Sequence, residues 1–245
     1  MRQRRIKNLD EKMEYLSDLT IDEPASLKGK WREVFGPGRD EKPLFAEIGC
    51  GKGKFIRDMA ALHPENGYVA FEGNLSVVYH AMQKADESGL ANVKFVTDYI
   101  DMADELFDDG ELDGIYLNFS DPWPKAKHEK RRLTAGKRLD SFVKAVRSGG
   151  FIDFRTDNDD LFEYTMERLM EQSGIKIVAV TNDLHGEIHE VASRIDLTEL
   201  TDAGFEDGVD EQLTTLQDLS VTTEYEDKFS SLGKGINFVR VKTVL

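Results

Sequence analysis

Short apolar runs recur along this chain with helical stripes between them, and that alternation limits the fold more than any other feature. Leu44–Ile48, Tyr68–Phe71, Val93–Val96, Leu112–Leu117, Phe151–Phe154 and Ile175–Val180 each read as a buried strand, and Ile236–Val241 reads as a closing one. Between them, Phe55, Ile56, Met59 and Ala60 share one helical face. Val78, Ala81, Met82 and Ala85 do the same, as do Leu139, Phe142, Val143 and Val146, and then Leu161, Thr165 and Leu169. Gly149-Gly150 is expected to end the third of these helices, and Asp157 or Asn158 to cap the fourth. Strands alternating with helices predict an α/β fold: a doubly wound, mostly parallel sheet of seven strands, covered on both faces.

Residues 1–43 lack this rhythm. Scattered anchors (Leu16, Ile21, Trp31, Val34, Phe35) predict an N-terminal arm with little regular structure, ahead of one domain over 44–245. The arm starts Met1-Arg2-Gln3-Arg4-Arg5, which suits either nucleic-acid contact or a solvated tail. The net charge is -15, but it is unevenly placed. From Ile195 to Asp227 there are eleven acids and no Lys or Arg; without them the net charge is -4. This stretch predicts an acidic insertion at about 193–220, weakly helical or mobile, and leaves room for a basic face elsewhere. One cysteine, Cys50, excludes an internal disulfide and fits a reducing compartment. No run is long enough to span a membrane and no secretion signal precedes the domain, so a cytoplasmic protein is expected.

The chemistry is expected at the carboxyl ends of the strands, where open α/β sheets bind ligands. Glu47-Ile48-Gly49-Cys50-Gly51-Lys52-Gly53 places G-x-G-x-G between a strand and a helix. A dinucleotide loop has its third glycine one residue later, and a carboxylate two residues before the first glycine would repel phosphate. It would attract a cation, which points to S-adenosyl-L-methionine, with its sulfonium and ammonium and no phosphate. Glu72 ends the second strand, where a carboxylate can accept ribose hydroxyls, and Asp98 ends the third, placed to meet an adenine amino group. Cys50 has no histidine in its motif to act as a base, and His185 and His189 have no further ligands beside them, so neither a thiol nucleophile nor a metal site is expected.

After the fourth strand comes Asn118-Phe119-Ser120-Asp121-Pro122-Trp123-Pro124-Lys125. Pro122 and Pro124 end the strand and stiffen the loop. Asp121 offers a carboxylate, and Trp123 suits either stacking on a base or packing in the core. Lys125, Lys127, Lys130, Arg131, Arg132, Lys137 and Arg138 then place seven cations within fourteen residues, a run that fits phosphate contacts.

These stretches resemble the bacterial tRNA (guanine-N7-)-methyltransferases. The likeness lies in Glu47 to Gly53, in Asn118 to Lys125 with its extension His128 to Thr134, in Arg155-Thr156-Asp157-Asn158, and in Thr223-Glu224-Tyr225-Glu226 with Lys228-Phe229. It spans roughly residues 40–192 and 221–242. The resemblance implies a Rossmann-like methyltransferase fold, S-adenosyl-L-methionine as methyl donor, and the variable-loop guanine of tRNA as acceptor. It implies cofactor contacts at Glu47, Glu72, Asp98 and Asp121, beside the Gly49, Gly51 and Gly53 of the loop; because guanine N7 has no proton to lose and gains positive charge as it is methylated, a fixed carboxylate at Asp121 is also the expected catalytic group. It implies substrate contacts at Lys125, Asp157, Thr223, Glu224, Tyr225 and Glu226, and RNA contacts at Lys127, His128, Lys130, Arg131 and Arg132. The long acidic link before Thr223 departs from the short connection expected in the family. Two other readings fit the residues less well: a methyltransferase acting on another substrate class, and a non-catalytic RNA-binding protein retaining the fold.

Overall fold

A computed structural model describes residues 6–38, 41–203, 215–230 and 234–244. The basic start Met1–Arg5 and the middle of the acidic stretch, including Glu206, Asp207, Asp210 and Glu211, lie outside the described residues.

Among the described residues seven strands form one sheet: β1 (Leu44–Ile48), β2 (Gly67–Phe71), β3 (Val93–Val96), β4 (Leu112–Asn118), β5 (Val146–Thr156), β6 (Ile175–Thr181) and β7 (Asn237–Thr243). Their order is β3-β2-β1-β4-β5-β7-β6. Strands β1 to β5 pair in parallel, and β7 runs antiparallel to both β5 and β6. The winding reverses between β1 and β4. Loops leaving those two strands therefore diverge and open a crevice at their carboxyl ends.

Side chains alternate across the sheet, so each strand supplies two cores. Val69 and Phe71 of β2 join Leu44, Ala46, Ile48, Ile115 and Leu117 on the face covered by α4 (Gly136–Ala145) and α5 (Asp159–Glu171). Tyr68 and Ala70 join Phe55, Ile56 and Met59 of α2 (Lys54–Leu62) and Val78, Ala81 and Met82 of α3 (Leu75–Glu87) on the other. The helical stripes expected from the sequence are these buried faces, except that Val146, expected on the third helix, is the first residue of β5. Of the two candidate caps for α5, Asn158 does the work: its Oδ1 accepts from the Leu161 amide at 2.8 Å.

Three regions differ from expectation. Gly149-Gly150 does not end a helix. α4 stops at Ala145 and the chain enters β5 at once. The β4–β5 register then jumps from Leu112↔Val146 to Gly114↔Phe151, so residues 147–150, which include the two glycines, bulge from the strand opposite Asp113. A Cβ at Gly150 would lie 2.5 Å from the Asp113 carbonyl oxygen, which only glycine avoids.

The N-terminal segment carries more regular structure than expected. It holds α1 (Leu9–Tyr15) and three single turns of 3-10 helix, and Thr20 bridges Phe95 at the β3 edge. Trp31 is fully buried, with its Nε1 donating to the Leu106 carbonyl at 2.7 Å. Its amide and that of Gly29 both donate to the Glu111 carboxylate at 2.9 Å. Leu16, Ile21, Trp31 and Phe35, isolated apolar residues that gave no periodicity, are single plugs seated on the domain.

The third region is the acidic stretch, whose described shoulders belong to the core. α6 (Ile188–Ala203) buries Val191, Ala192 and Ile195, and Leu219 in the helical residues 215–220 is fully buried with them against Ile236 and Phe238. Asp218 also bonds His63 Nε2 at 2.5 Å, tying this shoulder to the end of α2 and raising the imidazole pKa. Among the described residues no helix is long and apolar enough to cross a membrane.

Candidate active site

Three glycines shape the first wall of the crevice. Gly49, Gly51 and Gly53 all have positive φ (81°, 58° and 71°), where a side chain would be strained. The amides of Gly49 and Cys50 both donate to the Phe71 carbonyl, at 2.8 and 2.9 Å, which folds the loop over the end of β2. Gly53 opens α2, and a Cβ there would sit 2.6 Å from the Ala81 Cβ, so glycine also lets α2 approach α3. Beside Gly49 and Gly51 nothing lies within 4 Å of an added Cβ; their bare backbone faces open space. Burial, with Glu47 and Glu72 nearby, pushes the Cys50 thiol well above its ordinary pKa, so it holds its proton.

The acids at the strand ends are set in different ways. Glu72 is half-buried and accepts from the Gly51 amide at 3.2 Å and the Asn74 amide at 2.8 Å. Asp98 is exposed and accepts from the Tyr99 amide at 2.7 Å. The Tyr99 ring lies flush on Gly73, 2.3 Å from where a Cβ would be, so the ends of β2 and β3 are drawn together.

Glu47 is buried at the end of β1. Its Oε1 accepts from Asn118 Nδ2 at 2.9 Å, across the paired strands β1 and β4. Its Oε2 and the Asn118 Oδ1 are also buried but have no hydrogen-bond partner. Desolvation pushes the Glu47 carboxyl up to about 8, against the lowering effect of the Asn118 bond, and Glu224 adds to the rise. Two orphaned acceptors side by side call for a donor-rich group, and a cationic one would stabilise the carboxylate. The ammonium of an amino-acid moiety has that chemistry, so this donor set fits S-adenosyl-L-methionine.

The second wall is the loop after β4. Phe119 and Trp123 have positive φ (51° and 40°) without being glycine, a strain that needs outside support. The Phe119 amide donates to the Arg155 carbonyl at 2.8 Å, and its ring stacks on Tyr225 at 5.9 Å. Arg132 donates from Nε to the Pro122 carbonyl at 3.1 Å and from Nη2 to the Trp123 carbonyl at 3.3 Å. Arg131 lies 4.7 Å over the Trp123 ring, with His128 edge-on to it at 5.6 Å. Trp123 thus packs in a half-buried stack at the surface rather than in the core. Asp121, between these two strained residues, is exposed, and among the described residues no hydrogen bond or ion pair engages it.

Lys125, Lys127, Lys130 and Arg131 are exposed on the turn that follows, while His128 is half-buried. Arg132 parts from them. Its guanidinium lies 4.2 Å over the Tyr164 ring and is tied to the loop carbonyls, so it faces protein rather than solvent.

The Thr223–Glu226 run also divides. The Thr223 amide donates to Glu226 Oε2 at 2.6 Å, and the Glu226 amide donates to Thr223 Oγ1 at 3.1 Å. This is a capping box at the start of α7 (Glu224–Ser230). Both side chains are buried, and Glu226 pairs with the buried Arg155 at 3.1 Å. Arg155 Nη1 also donates to the Val221 carbonyl at 2.7 Å, latching the returning chain to the end of β5. Thr223 and Glu226 therefore turn inward. Tyr225 is exposed, and Glu224 is half-buried 3.9 Å from Lys84, with its Oε1 lacking a hydrogen bond. Asp157 is half-buried and Lys234 bonds its carbonyl, with the ammonium 3.9 Å from its carboxylate.

Arg155 was missed as a site-building residue, although an arginine inside the strand Phe151-Ile152-Asp153-Phe154-Arg155 signals a buried partner. The T-x-x-E spacing of a capping box was equally readable.

Residues 41–239 match the sequence family described as "Putative methyltransferase". A tRNA (guanine-N(7)-)-methyltransferase of Lactococcus lactis subsp. cremoris is 40% identical over 242 residues, covering 99% of this chain and 98% of its own length. The enzyme of the same name from Bacillus subtilis is 38% identical over 220 residues, covering 90% of this chain and 88% of its own. Among solved structures, an antibiotic-related methyltransferase superposes with TM-score 0.50 at 16% identity, covering 99% of this chain and 97% of that one. An rRNA methylase of Streptococcus thermophilus does so with TM-score 0.50 at 11% identity, covering 99% and 100%. The fold is that of the Rossmann-like methyltransferases, and the chain belongs to the tRNA (guanine-N(7)-)-methyltransferase family.

Proposed function

We propose that this protein methylates N7 of the variable-loop guanine of tRNA, using S-adenosyl-L-methionine. One juxtaposition carries the reading. At the switch point of the sheet, the under-bonded Glu47 of β1 stands beside the loop of β4 that displays an unpaired Asp121 and a row of exposed cations.

S-adenosyl-L-methionine supplies an electrophilic methyl on a sulfonium. Glu47 and Asn118 hold its ammonium, the bare backbone of Gly49 and Gly51 (with Gly53 setting the turn) admits it closely, and Glu72 and Asp98 take its ribose and adenine. Guanine N7 has an in-plane lone pair and no proton to lose, so no general base is needed. The protein's task is alignment, which can lower a barrier by roughly 7–11 kcal/mol. Asp121, exposed on the loop after β4, would offer a fixed carboxylate to the positive charge that grows on the purine as the methyl is transferred. Lys125, Asp157, Glu224 and Tyr225 border the guanine, while Thr223 and Glu226 hold the latter two in place. Lys127, Lys130 and Arg131, with His128, meet the phosphates of a tRNA in the cytoplasm. N7 lies on the major-groove edge, and a base engaged in tRNA folding must be extruded, at a cost of a few kcal/mol.

The test is transfer of tritiated methyl to unmodified tRNA, followed by nucleoside analysis. Label in 7-methylguanosine is expected. Label in another nucleoside, or only in protein, would refute the reading.

A further inference from the structure

We propose that Arg132 is a positioning residue for methyl transfer, braced by Tyr164, and not one of the phosphate contacts among which its sequence places it. The inference rests on the proposed tRNA methylation.

Arg132 makes a fork. Nε donates to the Pro122 carbonyl at 3.1 Å and Nη2 to the Trp123 carbonyl at 3.3 Å, the carbonyls of the two residues that follow Asp121. The guanidinium carbon lies 4.2 Å over the Tyr164 ring of α5. That ring is itself fixed: its hydroxyl donates to Glu129 Oε1 at 2.9 Å, and Arg168 flanks it at 5.7 Å. One residue beyond the ring, Thr165 and Thr134 hydroxyls bond at 2.9 Å and join α5 to the end of the basic run. A planar, five-donor group can span two carbonyls and stack at once; a lysine ammonium can do neither. Trp123 is held at positive φ, so its carbonyl needs this anchor to keep the loop bent. Asp121 lies one peptide before the clamped carbonyls, joined to them through the rigid Pro122, and among the described residues it has no bond of its own, so its aim is set by them. Arg131, next in sequence, does the opposite: it lies over Trp123 and stays exposed.

The test uses the full chain with Arg132→Lys, which keeps the charge. Displacing a catalytic group by about an ångström can cost up to roughly a hundredfold, so kcat at saturating tRNA and methyl donor should fall between about ten- and a hundredfold. KM for tRNA and the salt dependence of tRNA binding should not move. The second readout needs no substrate. The protein has two tryptophans and Trp31 is fully buried, so acrylamide quenching reports Trp123. Quenching should rise in Arg132→Lys, and also in Tyr164→Leu, which removes the brace and leaves Arg132 in place. If Arg132→Lys does not fold, Tyr164→Leu alone decides by the same readings. Unchanged kcat and quenching, with or without a raised KM, would overturn the inference while leaving tRNA methylation standing. Failure of the wild-type protein to methylate tRNA would overturn the proposed function instead, and the quenching would still judge the brace.

Discussion

The loop after β1 and the loop after β4 both turn through left-handed backbone, but they reach it differently. The first uses three glycines, bonds to the end of β2 and packs at Gly53 against Ala81. The second bends at a phenylalanine and a tryptophan, and is held by Arg132, Arg155 and Tyr225 from three other segments. The glycine loop presents bare backbone, which suits a small molecule bound closely. The braced loop presents side chains at fixed angles, which suits a reaction that depends on aim. Damage should therefore stay local in the first and propagate through its supports in the second.

The largest expected effect falls on those supports. Arg155→Met leaves the buried Glu226 without its guanidinium and with the His185 imidazole, 3.6 Å away, as its remaining ion-pair contact, which should cost about 3–5 kcal/mol and lower Tm by at least roughly 6 °C. Loss of the latch should also reduce methyl transfer. A melting curve matching that of the wild type would show that the returning chain holds without Arg155, and the contrast between the loops would weaken.

On the glycine side, removing a charge should have the opposite sign. The Glu47 carboxyl, pushed up to about 8 by burial, keeps its proton in the folded protein after the unfolded chain, near 4.5, has lost its own. Stability therefore falls as pH rises from about 4.5 to about 8, by up to about 4 kcal/mol at the top of that window. Glu47→Gln stays neutral and should melt higher than wild type at pH 8.5, with little gain at pH 4.5. Calorimetry should show S-adenosyl-L-methionine affinity falling in the same variant. Equal Tm differences at both pH values would mean that the buried carboxyl is not the source.

Asp121 separates function from stability. It is exposed and unbonded among the described residues, so Asp121→Ala should leave Tm unchanged. Turnover should drop by about a hundred- to a thousandfold, as when a fixed group facing developing charge is removed. Near-normal turnover would remove the role assigned to it.

The glycine loop was legible in the sequence because its requirement is local: Glu47, Gly49, Gly51 and Gly53 lie within seven residues and need no distant partner. The inner strands were legible for the same reason, since burial on both faces produces continuous apolar runs, whereas β6, read as a buried strand, is an edge strand that is mostly part-exposed. The braces were not. Arg132 bonds its neighbours, yet its stacking partner Tyr164 is 32 residues away, and Arg155 meets Glu226 across 71 residues. Nothing in a basic run distinguishes an arginine that faces RNA from one that faces a tyrosine; only the packing of α5 does. The N-terminal anchors were read as such, but the short helices that carry them were not, because single plugs such as Trp31 have no period. The acidic stretch hid two buried shoulders because Ile195 and Leu219 are isolated among carboxylates.

The smallest expected effect tests what the braced loop is aimed at. Lys130 is exposed in the turn after the loop, and among the described residues it has no ion pair. If it meets one phosphate, Lys130→Gln should weaken tRNA binding only a few-fold, and the slope of log K against log salt should lessen by about one. Neutralising a charge that merely offsets the protein's -15 would instead shift affinity weakly and smoothly, with no integral change in slope. The distinction bears on the whole crevice. Counterion release requires an anion within contact distance, so a lost unit of slope places the RNA backbone beside the Trp123 stack. An unchanged slope would put the phosphates elsewhere, and Asp121 would then be aimed at a base held by residues outside its own loop.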